Sequence, residues 1–105
     1  MSAESADTVA KDPRDAEVGQ MLQYVLRSLV DRPDELVIVP LTDGAGVSFH
    51  VQAAPDEIGK LIGKNGRTAR AVRTILSGNA ARLGRRYNVD FDGRNQDSFL
   101  SARTR

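Results

Sequence analysis

Between Pro55 and Leu83 the chain carries two helical patterns broken by four residues, Gly63-Lys64-Asn65-Gly66, and short strand-like alternations lie on either side. This arrangement restricts the fold more than any other feature of the sequence. Val47, Phe49, Val51 and Ala53 alternate with Ser48, His50 and Gln52, and Tyr87, Val89 and Phe91 alternate with Asn88 and Asp90. Each is the period of a strand with one wet face. Two strands joined through helices can pair in parallel by a right-handed crossover. Pro55-Asp56-Glu57 has the chemistry of a helix start, with proline in the first turn and carboxylates at the positive end of the dipole. The first helix runs roughly from Pro55 to Ile62. The second runs from about Arg67 to Leu83, with Ala69, Val72, Leu76, Ala80 and Leu83 on its inner face and Gly84 as its stop. Gly78 lies inside it and lowers its intrinsic helix stability.

Upstream, Val18, Met21, Leu22, Val25, Leu26, Leu29 and Val30 recur at helical spacing, with Asp15 as the expected N-cap. Asp31-Arg32-Pro33 ends that helix, because the residue before a proline is pushed out of the helical region. Leu36-Val37-Ile38-Val39 reads as a strand buried on both faces. Residues 42–46 supply the turn of a hairpin. His50 is expected as an exposed histidine on the polar face of its strand. The order is helix, strand, strand, helix, helix, strand. The fold class is therefore α+β: a three-stranded mixed sheet with helices packed on one face. The expected organisation is an acidic disordered tail over residues 1–14, one domain over 15–92 and a polar tail over 93–105.

Composition narrows the chemistry. There is no cysteine and only one histidine, so neither a thiolate site nor a multi-histidine metal cluster can be built. No run of eighteen apolar residues exists, and the N-terminal sequence lacks the basic-then-apolar order of a signal peptide. The expected location is the cytoplasm, with no membrane contact. Charge is split: residues 1–54 hold four cations and nine carboxylates, whereas residues 55–105 hold eleven cations and five carboxylates. Such asymmetry favours a polyanionic partner touching one side of the molecule.

Cations crowd around the glycine loop: Lys60, Lys64, Arg67, Arg70 and Arg73 lie within residues 58–74. A nucleotide P-loop needs four residues between its first glycine and Gly-Lys, but Gly59 and Gly63 enclose only three, and Asn65 stands where Ser or Thr would. The dinucleotide fingerprint fails as well, since Gly59, Gly63 and Gly66 are spaced four and three and follow a helix. What remains is Gly-x-x-Gly as a tight link between helices. Such a link leaves the next helix's first amides pointing outward at the positive end of its dipole. Glycine at both corners permits positive φ and close approach of another backbone. This suits phosphates and supplies no nucleophile or acid–base pair. The adjacent carboxylates Asp56 and Glu57 are accounted for by the helix start, so no enzyme, cofactor or small-molecule substrate is expected.

The stretch IGKLIGKNGRTARAVRTIL, followed by ARLGRRYNVDF, resembles the signature of KH domains of the bacterial, type II arrangement. Over about residues 15–92 the chain is similar to the small single-KH proteins of the KhpA family. Ala69 departs from the pattern, standing where many KH domains have isoleucine, so looser packing is expected there. The resemblance implies single-stranded RNA as partner, its backbone against the loop and its bases in an apolar groove. Carried over by position, Gly63 and Gly66 shape the loop, Lys64 and Asn65 form its middle, and Lys60, Arg67 and Arg70 are flanking cations. Arg73 borders the apolar stripe, with a packed stem and a head paired to a carboxylate as one reading. Arg82, Arg85 and Arg86 serve the helix dipole rather than RNA. Tyr24, Phe49, Tyr87, Phe91 and Phe99 are the aromatic side chains, and most fit core positions. The resemblance also implies an RNA chaperone or regulator, self-pairing, and pairing with a larger KH-containing protein. A protein-docking subunit is the alternative function.

Overall fold

In the computed structural model the described residues are 12–91; the expected tails fall almost wholly outside them. Helix α1 spans Pro13–Arg27. Strands β1 (Val37–Thr42) and β2 (Gly46–Gln52) follow, then helices α2 (Pro55–Ile62) and α3 (Arg67–Leu83), and finally strand β3 (Arg86–Phe91). The sheet order is β1-β2-β3, with β1 and β2 antiparallel and β2 and β3 parallel. This is the α-β-β-α-α-β order and mixed sheet expected from the sequence.

One hydrophobic cluster joins the layers. Val18, Leu22 and Leu26 of α1, Leu61 of α2, and Val72 and Leu76 of α3 pack against Val47, Phe49, Val51, Tyr87 and Val89 of the sheet. Ala69 is buried as well. Phe49 and Tyr87 stack with ring centroids 6.3 Å apart. The parallel pair begins at Gly46, where any Cβ would collide with the backbone of Arg86. Only glycine lets the two strands start side by side there.

Four expectations change. Asp15 is not the cap of α1: Asp12 takes that role, its carboxylate accepting from the Arg14 amide at 2.9 Å. Asp15 lies in the first turn and is 3% exposed. The helix ends at Arg27, before the apolar stripe does, because the Ser28 hydroxyl donates to the Val25 carbonyl at 2.6 Å and the Ser28 amide turns back to Tyr24 and Val25. Leu29 and Val30 therefore belong to the connection. Strand β1 is not buried on both faces. It is an edge strand reaching Thr42, and Val37 and Leu41 are about half exposed at 47% and 50%. His50 is half-buried beside Asp90, its cross-strand neighbour, with Nε2 and Oδ2 4.0 Å apart.

Candidate nucleic-acid interface

The loop between α2 and α3 is a strained corner that only certain residues can occupy. The Gly63 amide closes α2 on the Gly59 carbonyl at 2.8 Å. Gly63 then has φ 82° and ψ 166°, a region open essentially to glycine alone. A Cβ there would also run into the side chain of Thr68. Asn65 (φ 57°, ψ 26°) and Gly66 (φ 72°, ψ 17°) are both left-handed. The Gly66 amide bonds back to the Gly63 carbonyl at 3.0 Å, and α3 starts at the next residue. Of the four loop residues, three thus have positive φ. Asn65 is more than a variable middle residue, since asparagine tolerates the left-handed region better than most side chains.

Lys64, Asn65, Arg67 and Arg70 are exposed around this corner. An Arg70 guanidinium nitrogen lies 3.4 Å from the point a Gly66 Cβ would occupy, so this cation covers the loop. Lys60 is placed differently. Its ammonium donates to Asp31 at 2.6 Å and to Glu57 at 2.9 Å, which raise its pKa. Glu57 is 1% exposed and also accepts from the amides of Asp31 and Arg32, the latter at 2.7 Å. The Lys60 bond, aided by these amides and opposed by burial, holds the Glu57 carboxyl at about 2. Arg32 pairs with Asp56 at 2.8 Å. Helix α2, which carries the loop, is thereby fastened to the connection between α1 and β1. Sequence reasoning missed this latch, although the Glu57–Lys60 spacing of three was a signal for one of its pairs.

Arg73 takes no carboxylate among the described residues. Its guanidinium lies 5.7 Å from the centroid of the Phe91 ring and donates to the Val89 carbonyl at 3.4 Å. Arg73, Ser77, Asn88 and Asp90 are the more polar lining of a cavity of about 430 Å³ between α3 and β3, floored by Leu76, Tyr87 and Val89. At the opposite end of α3, Arg85 is half-buried in a cluster. It contacts Asp15 at 2.6 Å and 3.1 Å, and the Tyr87 hydroxyl donates to the same carboxylate at 2.7 Å. Burial, then this bond, pushes the Tyr87 hydroxyl up to about 12. Arg85 thus serves the fold, while Arg82 and Arg86 remain exposed. Among the described residues no group of acidic or histidine side chains could hold a metal ion.

Helices on one face of a mixed three-stranded sheet, with a Gly-x-x-Gly link between the second and third, define a KH domain whose additional helix and strand lie on the N-terminal side. The profile of the KhpA/KhpB KH domain matches residues 19–91. The chain is 37% identical over 71 residues to the RNA-binding protein KhpA of Clostridium acetobutylicum, covering 68% of this chain and 95% of that relative. It is 42% identical over 72 residues to the RNA-binding protein KhpA of Treponema pallidum, covering 68% and 89%. For the RNA-binding protein KhpA of Mycobacterium bovis the figures are 38% over 77 residues, 73% and 96%. No solved structure gives a significant match. The chain belongs to the KhpA/KhpB KH-domain family.

Proposed function

We propose that this protein is a non-enzymatic, single-stranded RNA-binding module, acting as an RNA chaperone or regulator, with the loop Gly63-Lys64-Asn65-Gly66 as its phosphate clamp. The observation that carries this reading is the exposed, positive-φ corner ringed by Lys64, Arg67 and Arg70, which form no ion pair among the described residues. Backbone amides at the start of α3, its dipole and three mobile cations all favour negative charge at one place. Lys60, grouped with these cations by position, acts mainly by fastening α2. The names of the relatives agree with an RNA partner.

Self-pairing, and pairing with a larger KH-containing protein, belong to the same reading. They are supported by apolar side chains left on the surface, among them Tyr24 at 79% exposure, Leu41 and Ile75. Among the described residues no helix is long and apolar enough to cross a membrane, and the cytoplasm is the proposed location.

The test is the double substitution Lys64→Asp with Asn65→Asp. Both positions are exposed, and aspartate tolerates the left-handed region, so stability should change by no more than about 0.5 kcal/mol per site. Binding of a labelled single-stranded RNA should be lost. Unchanged affinity in the folded double variant would remove the loop from the RNA site.

A further inference from the structure

Lys60 differs from the other cations around the loop, because two carboxylates already hold it. Its ammonium donates to Asp31 at 2.6 Å and to Glu57 at 2.9 Å. These two partners are not equivalent. The Glu57 carboxylate is buried and also accepts from the amides of Asp31 and Arg32, at 3.2 Å and 2.7 Å. Withdrawing the ammonium from it would leave a buried charge short of a partner, which is costly. The Asp31 side chain is 78% exposed. Water can replace the ammonium there, and an exposed pair of this kind contributes little to stability. The bond to Glu57 is therefore fixed, and the bond to Asp31 is exchangeable.

Position gives the exchangeable bond a use. Lys60 lies on α2, one turn before the Gly63 corner, and it is exposed. Residues three apart on a helix are neighbours along one face, so a strand running off the loop on the α2 side passes Lys60 next. The ammonium has three donors. Glu57 takes one, and Asp31 takes another that faces solvent.

From this arrangement we infer that Asp31 is an affinity-setting residue of the RNA site: its carboxylate holds the place on Lys60 that an RNA phosphate takes, and yields that place when a strand binds. The inference rests on the phosphate-clamp reading of the loop. Glu57 keeps the ammonium in position throughout. The exchange swaps one charged hydrogen bond for another, so the strand gains only the difference between them. A strand already seated on the loop presents its neighbouring phosphate at high local concentration, which favours it over a free anion at this point.

The experiment is fluorescence anisotropy of a mixed-sequence single-stranded RNA dodecamer at low salt. It compares the wild type with Asp31→Asn, Asp34→Asn, Lys60→Gln, the combined Asp31→Asn/Lys60→Gln variant and the Lys64→Asp/Asn65→Asp double variant. Thermal melting checks each fold; glutamine at position 60 keeps an N–H donor for Glu57. Asp31→Asn should bind about two- to fivefold more tightly, the span that an exposed ion pair is worth. Asp34→Asn removes the same charge from an exposed position on the same connection and should leave affinity unchanged. In the Lys60→Gln background, Asp31→Asn should bring no gain. Wild-type affinity in Asp31→Asn, with the loop variant inactive, would overturn the role of Asp31 and leave the loop standing. An equal gain in Asp34→Asn, or a gain that survives Lys60→Gln, would also overturn it, by reducing Asp31 to general repulsion of the strand. Should Lys60→Gln fail to fold, the comparison of Asp31→Asn with Asp34→Asn decides alone. Full binding by the loop double variant would remove the reading on which the inference rests.

Discussion

Gly63 shows most directly how single residues decide this fold. Its φ and ψ are open essentially to glycine, and Thr68 closes the space where a side chain would begin. Gly63→Ala should therefore lose about 1–3 kcal/mol of stability from backbone strain alone, measured as a lower urea midpoint. Asn65→Gly at the neighbouring left-handed position should be nearly neutral, so the pair separates strain from mere proximity to the loop. Tyr87 offers a second residue-scale prediction. Its buried hydroxyl donates to a carboxylate, and Tyr87→Phe should cost about 1–3 kcal/mol in the same assay. The two sites differ in how far the sequence revealed them. The glycine spacing announced the loop, because the backbone demand is local. Asp15 at the head of an apolar stripe looks the same whether it caps a helix or enters a buried cluster, and its partners lie 70 and 72 positions away.

Elements were legible wherever one physical signal governed them, and their ends were blurred wherever two competed. The apolar stripe of α1 outruns its helix because Leu29 and Val30 keep the spacing after Ser28 has bent the backbone away. A run of β-branched residues signals a buried strand equally well at an edge, so the half-open state of β1 was hidden. Helix α3 was read through Gly78 despite its low propensity, and that glycine has open space around it and no positive φ. Gly78→Ala should consequently stabilise the protein by about 0.5–1 kcal/mol, seen as a raised urea midpoint. The latch between α2 and the α1–β1 connection makes stability depend on acid. The folded-state pKa of Glu57 lies at about 2, below its ordinary 4.5. Its contribution is thus full above 4.5 and fades as pH falls from there toward 2. The Glu57→Gln variant should show a shallower loss of urea midpoint across that window than the wild type does.

Across the whole molecule, the charge split of the sequence is partly offset by folding. Arg85 meets Asp15 and Lys60 meets Asp31, each pair joining a cation of the basic half to a carboxylate of the acidic one. Lys64, Arg67 and Arg70 stay exposed at the loop, and three phosphate contacts there predict a salt slope near −2 for single-stranded RNA, at roughly 0.7 per contact. A flat dependence in anisotropy titrations would point to apolar groove contacts instead. Sedimentation at micromolar concentration should show a species heavier than the 11.4 kDa chain; a single species of that mass at all concentrations would exclude a homodimer. Pro40 sets a limit on any such pairing. It sits in the edge strand β1, paired with Phe49, and supplies no amide for a further strand to grip. On the other side, Arg73 reaches across the rim of β3 to Val89. A chain crowded in solution is thereby guarded against edge-to-edge growth into fibres.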